Sequence, residues 1–278
     1  MNRFRELFGH QRRRLVAAIT WGAVACGGIG LGVQAEPSDP LSAEAGSVPR
    51  EQLVYSVSWS GMVVGKIVAT DYGMVTLRDR PCLKLVADAK TDGAIERIYK
   101  DRRKYVGYLT APGEPWIYEE WEQDKDGWRM EEWLGFFSEE KRVRRYKKGK
   151  VRNTLEIPER AFDPVAAVHY LRSLDLEPGR KYEATVTQGK YLYNATMDVV
   201  EGETLSTPIG EVKTVVAYPK LYWKGKPLGK REFKVWFSDD DRSIPVRLFA
   251  DVEYGSFSAE LIRYRTAETG EEPFTSPG

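Results

Sequence analysis

The chain has 278 residues, a formal net charge of +1, and only two histidines and two cysteines. So even a balance excludes a general polyanion binder, and so few soft ligands exclude a zinc or copper cluster and a disulfide framework. With 42% apolar residues, a chain of this length can bury a core without covalent staples.

The first 35 residues form an export segment: Arg12, Arg13 and Arg14, then the apolar run Leu15 to Val33, then Val33-Gln34-Ala35 as a cleavage site before Glu36. Three other readings stay open. Arg12-Arg13 is a twin-arginine pair, Cys26 resembles a lipidation site, and Leu15 to Val33 is long enough to remain as an uncleaved anchor. Cleavage leaves 37 basic against 40 acidic residues, one histidine (His169) and one cysteine (Cys82). The expected compartment is the periplasm. Residues 36–50, rich in Ser, Ala, Pro and Glu, read as a flexible linker.

From Glu51 the pattern has period two. Leu53, Tyr55, Val57 and Trp59 alternate with Val54, Ser56, Ser58 and Ser60, which predicts a strand with one buried face. The alternation returns in Leu83/Leu85/Ala87, Val151/Leu155/Ile157, Tyr182/Ala184/Val186 and the run from Tyr191 to Val199. It continues in Val212/Thr214/Val216/Tyr218, Phe233/Val235/Phe237, Ile244 to Val252 and Phe257/Ala259/Leu261. Strands punctuated by Gly, Pro and Asp turns, with little helix between, predict an antiparallel meander rather than a parallel sheet.

One segment departs from that pattern. Asp163-Pro164 is an N-cap followed by a first-turn proline, and Val165, Val168 and Leu171 recur at helical spacing before Pro178-Gly179. A helix is therefore predicted over Pro164–Leu174, and a further helical turn within residues 92–103. The fold expected is all-β: a strongly curved antiparallel sheet, a half-barrel or open barrel, with one short helix between its two halves. A single domain spans 51–265, and 266–278 reads as a disordered tail.

Several short motifs together resemble one family. They are Tyr55-x-Val57-x-Trp59-x-Gly61-x-x-x-Gly65, the stretch Asp163 to Arg172, Thr207-Pro208-x-Gly210, and Trp236-x-Ser238-Asp239-Asp240 with Ile244-Pro245-Val246. In order and spacing they resemble the exported bacterial family catalogued as domain of unknown function 3108, over residues 51 to about 264. The resemblance implies export and a β-rich fold. By analogy of fold alone it suggests the half-barrel carriers that move lipids or lipoproteins across the periplasm. Pro164 and the alanines after it are smaller than the apolar residues usual in that family's helix.

The chemistry available is narrow. There is no Gly-x-Ser-x-Gly elbow and no glycine-rich phosphate loop, so neither an enzyme nor a cofactor is expected. Cys82 reads as an inert thiol and His169 as a packing residue. Asp239, Asp240 and Asp241 read as turn chemistry, since the spaced ligands of a calcium loop are missing. Lys141 to Lys150 carries seven basic residues. It reads as a solvated edge strand or one paired with Glu131, Glu132, Glu139 and Glu140, with docking to an acidic partner or an anionic membrane surface as the functional reading of Arg142, Arg144, Arg145, Lys147 and Lys148.

Aromatic residues are the last signal: Trp116, Trp121, Trp128, Trp133, Phe136 and Phe137 fall within 22 residues. Aromatics on a curved sheet pack across strands or line an apolar cavity. The function expected is a periplasmic binding or carrier protein for an apolar or amphiphilic molecule, such as a lipid, with Tyr55, Trp59, Trp116, Trp121, Trp133 and Trp236 on the pocket wall. The alternative is a non-catalytic envelope scaffold that binds a protein partner through a sheet edge or the basic strand. Compartment and charge both disfavour nucleic acid.

Overall fold

The computed structural model describes residues 49–97, 100–110, 114–124, 129–158, 160–228, 232–252, 255–267 and 270–271. The expected export segment, with Cys26, and most of the expected linker lie outside them. Arg50, the linker's last residue, hydrogen-bonds through its backbone N–H to the carbonyl of Asp71.

One antiparallel sheet makes up nearly all of the fold. Its first half is a meander of eight strands: β1 (Glu51–Trp59), β2 (Met62–Leu77), β3 (Arg80–Thr91), β4 (Asp101–Thr110), β5 (Glu114–Asp124), β6 (Arg129–Phe137), β7 (Arg142–Lys147) and β8 (Lys150–Glu156). The second half contains β9 (Lys181–Gln188), β10 (Tyr191–Thr207), β11 (Gly210–Trp223), β12 (Lys226–Pro227), β13 (Phe233–Ser238), β14 (Pro245–Val252), β15 (Gly255–Thr266) and β16 (Gly270–Glu271). Pairing of β1 with β15 welds the halves, so the order runs from β8 through β1 to β15 and on to β9.

Four hairpins close through two-residue turns with positive φ at both positions: Ser60-Gly61, Arg78-Asp79, Lys148-Gly149 and Lys224-Gly225. That geometry matches the right-handed twist of the strands it joins. Bulges bend the sheet. Register shifts fall at Val57/Ser58, Asp71/Met74, Tyr108/Leu109, Glu201/Thr204 and Trp236/Phe237, and each adds local twist to its strand. At the β10 bulge only glycine fits, because a Cβ on Gly202 would lie 2.2 Å from the Thr214 carbonyl oxygen. The result is an open, curved sheet that does not close into a barrel.

The one α-helix among the described residues, α1 (Pro164–Arg172), joins the two halves as predicted, two residues shorter than its periodicity suggests. Buried Asp163 caps it, its Oδ1 accepting from the N–H groups of Val165 (2.8 Å) and Ala166 (2.9 Å). Just before the cap, Phe162 forms a parallel bridge to Val186, which covers part of the β9 edge. The turn expected within 92–103 is 3-10, over Gly93–Arg97.

At the C-terminus the strand pairing runs further than expected. Thr266 belongs to β15, Gly270 pairs with it as part of β16, and Ala267 donates its backbone N–H to Arg50. The ends of β15 and of the chain before β1 satisfy one another's backbone groups, which extends the domain beyond residue 265.

The side of the sheet facing α1 carries two apolar clusters. One gathers Leu53, Tyr55, Val199, Phe237, Leu248 and Leu261 around the weld and the second half. The other gathers Tyr105, Leu109, Tyr118, Leu134, Phe136 and Val143 from the first half, with Val165 and Ala166 of α1. A third cluster, including Cys82, Val106, Tyr108 and Ile117, lies on the opposite side of β3–β5.

Candidate functional site

α1 meets the two halves differently. Toward β4 it is close-packed: Ala166 is fully buried, and a Cβ on Gly107 would touch Val165 Cγ1 at 3.4 Å. Tyr170 stacks on Phe162 with centroids 4.6 Å apart, under the Arg160 guanidinium.

Toward the second half a cleft of about 710 Å3, counting the part open to solvent, separates α1 from the sheet. Ala167, Val168, Tyr170 and Leu171 form its helical wall, and Ala184, Ala195, Met197, Leu221, Val235 and Phe237 are among the residues of its sheet wall. Glu183 and Thr196 are its two lining residues outside the apolar and aromatic set. Small side chains at Ala184 and Ala195, facing Ala167, leave this space. Such a lining is of the kind that apolar small-molecule sites present.

A second hollow, of about 650 Å3, opens between β1–β4 and β14–β15. Val57, Ile67, Ala89, Leu248 and Phe257 form apolar walls, and Asp101 and Arg103 supply a charged end. Arg103 is 5% exposed and donates to both carboxylate oxygens of Asp101.

The C-terminal end of α1 is fastened at a polar mouth. The Arg172 guanidinium donates to both Glu51 oxygens, at 2.6 and 2.8 Å, and Nε reaches the Arg242 carbonyl. Burial pushes the Glu51 carboxyl up, but the hydrogen-bonded Arg172 outweighs it and holds the group below its ordinary range. His169 lies in the same mouth. Burial holds its imidazole below the usual value, partly offset by Asp71. Arg50 donates to Asp71 at 2.5 Å beside it.

The six aromatics predicted for a pocket wall do not share a pocket. Tyr55 is fully buried on the α1 side, its hydroxyl donating to the Pro245 carbonyl at 2.9 Å. Trp59 stacks on Phe257, a wall residue of the 650 Å3 hollow. Trp116 and Trp133 pack with the third cluster, on the opposite side of the sheet, where Trp133 lies flat on Tyr146 with centroids 3.6 Å apart. Trp236 also points away from α1, since its neighbours Val235 and Phe237 hold the inner positions; its indole N–H donates to Glu203. The Trp121 side chain and Trp128 lie outside what is described.

The basic run forms β7, which is flanked on both sides, and β8, which pairs only with β7 among the described residues. Arg145 and Lys147 both pair with Glu132, Arg144 pairs with Glu140 and covers the Phe137 ring, and Arg142 approaches Glu140 at 4.0 Å. Lys148 sits exposed in the turn. Asp240 accepts from Ser238 Oγ, the Arg242 amide and the Arg242 guanidinium, and Asp239 pairs with Lys213. Cys82 is fully buried, and burial pushes its thiol up. Among the described residues no group of three or more His, Cys, Asp or Glu side chains is arranged to hold a metal ion.

Ala184 and Ala195 went unnoticed as site residues because alanine on a strand carries no chemical signal. An available clue was Tyr191-x-Tyr193-x-Ala195, an aromatic stripe that shrinks to alanine part-way along one face.

The family described as protein of unknown function DUF3108 matches residues 54–262, nearly the whole sheet. The chain belongs to that family. Among solved structures this DUF3108 chain is similar to a β-barrel-like protein of domain of unknown function DUF1849 from Brucella abortus, at 12% identity and a TM-score of 0.55, covering 81% of this chain and 100% of that one. At that score the likeness shows the fold. A candidate exported protein with a YmcC-like fold from Bacteroides fragilis NCTC 9343 matches at 12% identity and a TM-score of 0.29, over 79% and 97% of the two chains. A candidate lipoprotein from Parabacteroides distasonis ATCC 8503 matches at 10% and 0.32, over 79% and 96%. No curated protein matches the chain.

Proposed function

We propose that this DUF3108 protein is an exported, non-catalytic binding or carrier protein of the cell envelope, and that its cargo is an apolar or amphiphilic molecule held between α1 and the second half of the sheet. The observation that carries the reading is the apolar cleft beside a helix fastened at its two ends. The facing apolar walls do not touch across the cleft, and a hydrocarbon chain between them would supply dispersion contacts to both.

Native mass spectrometry of the protein recovered from an envelope fraction, followed by organic extraction, tests this. The expected result is one amphiphile per chain, lost when Ala184→Phe narrows the cleft. A protein that is empty and gains no mass with envelope lipids would sink the reading, as would cargo retained undiminished by the narrowed variant.

A further inference from the structure

The aromatic stripe does not stop at the cleft. Along β10 the residues facing α1 run Met197, Ala195, Tyr193, Tyr191 toward the turn at Gly189-Lys190. Along β11 they run Pro219, Leu221, Trp223 toward the turn at Lys224-Gly225. Tyr191 is 38% exposed, Trp223 39% and Leu228 47%, the last fixed beside Leu221 by a 2.7 Å backbone hydrogen bond. Tyr191 meets Trp223 edge-on at 5.7 Å and Tyr193 at 6.1 Å, so the rings form one patch at the tips of neighbouring hairpins. An exposed apolar patch of clustered rings on a folded surface marks an interaction site.

Among the described residues three lysines lie at that patch. The Lys190 ammonium lies 5.3 Å from the Tyr191 ring centre and Lys224 lies 5.1 Å from the Trp223 ring centre. Lys226 pairs directly across from Trp223. Among the described residues none of the three lysines forms an ion pair, in contrast to Arg144, Arg145 and Lys147 of β7, whose carboxylate partners sit beside them. Trp and Tyr with lysine at their rim is the combination that settles at the boundary between headgroups and acyl chains, the rings entering and the ammoniums meeting phosphate. Burial and the neighbouring Tyr191 push the Tyr193 phenol up to about 12, so it stays neutral and adds no negative charge to repel such a surface.

We infer that the tips of the β9–β10 and β11–β12 hairpins, through Tyr191, Trp223 and Leu228 with Lys190, Lys224 and Lys226, dock the protein onto the surface of an anionic phospholipid bilayer. The patch continues into the cleft wall through Leu221 and Ala195, so a docked molecule presents the cleft to the membrane. Docking itself does not require the cleft to hold cargo, and the two ideas fail separately.

Flotation of the processed protein, recovered from envelope extract, with vesicles of phosphatidylethanolamine and phosphatidylglycerol tests this, with phosphatidylcholine vesicles as reference. The parent should prefer the anionic vesicles. Lys190→Gln/Lys224→Gln/Lys226→Gln, which touches no packed position, should lower partitioning about tenfold or more, and Tyr191→Ser/Trp223→Ser by a similar factor. Lys148→Gln/Lys150→Gln/Arg152→Gln on the β8 edge should leave it unchanged. Brominated lipid should quench tryptophan emission in the parent and far less in Trp223→Phe, which reads contact at the tip even where another part of the chain also holds the bilayer. No preference for anionic vesicles overturns the proposal. Loss of binding in the β8 variant alone does so too, and so does equal quenching in parent and Trp223→Phe.

Discussion

The two halves of the sheet face the same helix, yet the wall built by β4–β6 packs closely on it and the wall built by β9–β11 leaves an apolar cleft. Against the first half, Tyr105, Tyr118, Leu134 and Phe136 bring large side chains to the thin N-terminal turn of α1, and Gly107 lets Val165 close the remaining distance. Against the second half Ala167 meets Ala184 and Ala195, and a cleft remains between α1 and the sheet there. Packing density inside proteins is normally near that of organic crystals, so the contrast within one layer separates a wall that holds α1 from a wall that leaves room for a guest. Asp163 and Arg172 then fix the helix at its ends, while its middle borders empty space.

The largest effect expected from breaking this contrast is on the filled side. Phe136→Ala should cost about 4 kcal/mol of unfolding free energy, the range for deleting a buried ring. Leu171→Ala, which borders the cleft, should cost about 1.5 kcal/mol or less because little of its surroundings closes on it. Urea melts of both variants measure the difference, and equal losses would mean the cleft wall is as tightly packed as the other.

Next comes the fastening at Arg172. Its pair with Glu51 is mostly buried, with side chains 20% and 16% exposed. Removing one member leaves the other charged and poorly solvated, so Arg172→Met should cost about 3 kcal/mol. Arg172→Met combined with Glu51→Met should recover a large part of that loss. A double variant as unstable as the sum of the singles would show that the two side chains do not act as a pair.

The elements read most easily from the sequence are those set by local rules. Alternation from Leu53 to Trp59 gave β1, and the Asp163-Pro164 cap placed the start of α1, because both depend only on near neighbours in the chain. Which side of a strand faces inward is another matter where both sides are apolar. In β11 the stripe Val216 and Tyr218 looked like the core face, but Val215 and Ala217 hold it. Trp133 lies on a strand apolar on both sides, and Trp116 lies at the β4–β5 shift: bulges reset the phase of the alternation, and nothing local announces which partner strand will carry the extra residue. The cleft was least legible of all. It is made of what the alanines lack, and a missing side chain becomes a cavity only once the opposite wall is known.

A smaller effect tests the cap end of α1. Burial pushes the Asp163 carboxyl up to about 7, partly countered by the N–H groups of Ala166 and Val165. The ordinary value is 3.8. Between the two, the folded protein holds a proton that the unfolded chain has released. This group's contribution to stability is therefore full below about pH 4 and is lost as pH rises through about 7. Asp163→Asn keeps an oxygen for the two N–H groups and removes the charge. Stability measured from about pH 5 to pH 8 should then flatten, by on the order of 2 kcal/mol across the range. An unchanged slope would place the titrating group elsewhere, with Asp88, also pushed up to about 7 by burial, the first to examine.

The finest test puts one substitution on both walls. Ala166 is fully buried against the first half, where added methyl groups must displace neighbours, so Ala166→Leu should destabilise by about 1–3 kcal/mol. Ala195 lines the cleft, and the same added atoms there enter space that already exists, so Ala195→Leu should change stability by less than about 1 kcal/mol in either direction. The second variant should nevertheless take up less amphiphile, because the volume it fills is the volume the guest needs. Thermal melts and cargo uptake on the same two proteins give four numbers, and the expected pattern is crossed: one variant unstable, the other stable but poorly loaded. If Ala195→Leu melts as early as Ala166→Leu, the space beside α1 is not open in solution, and the distinction between a holding wall and a binding wall fails with it.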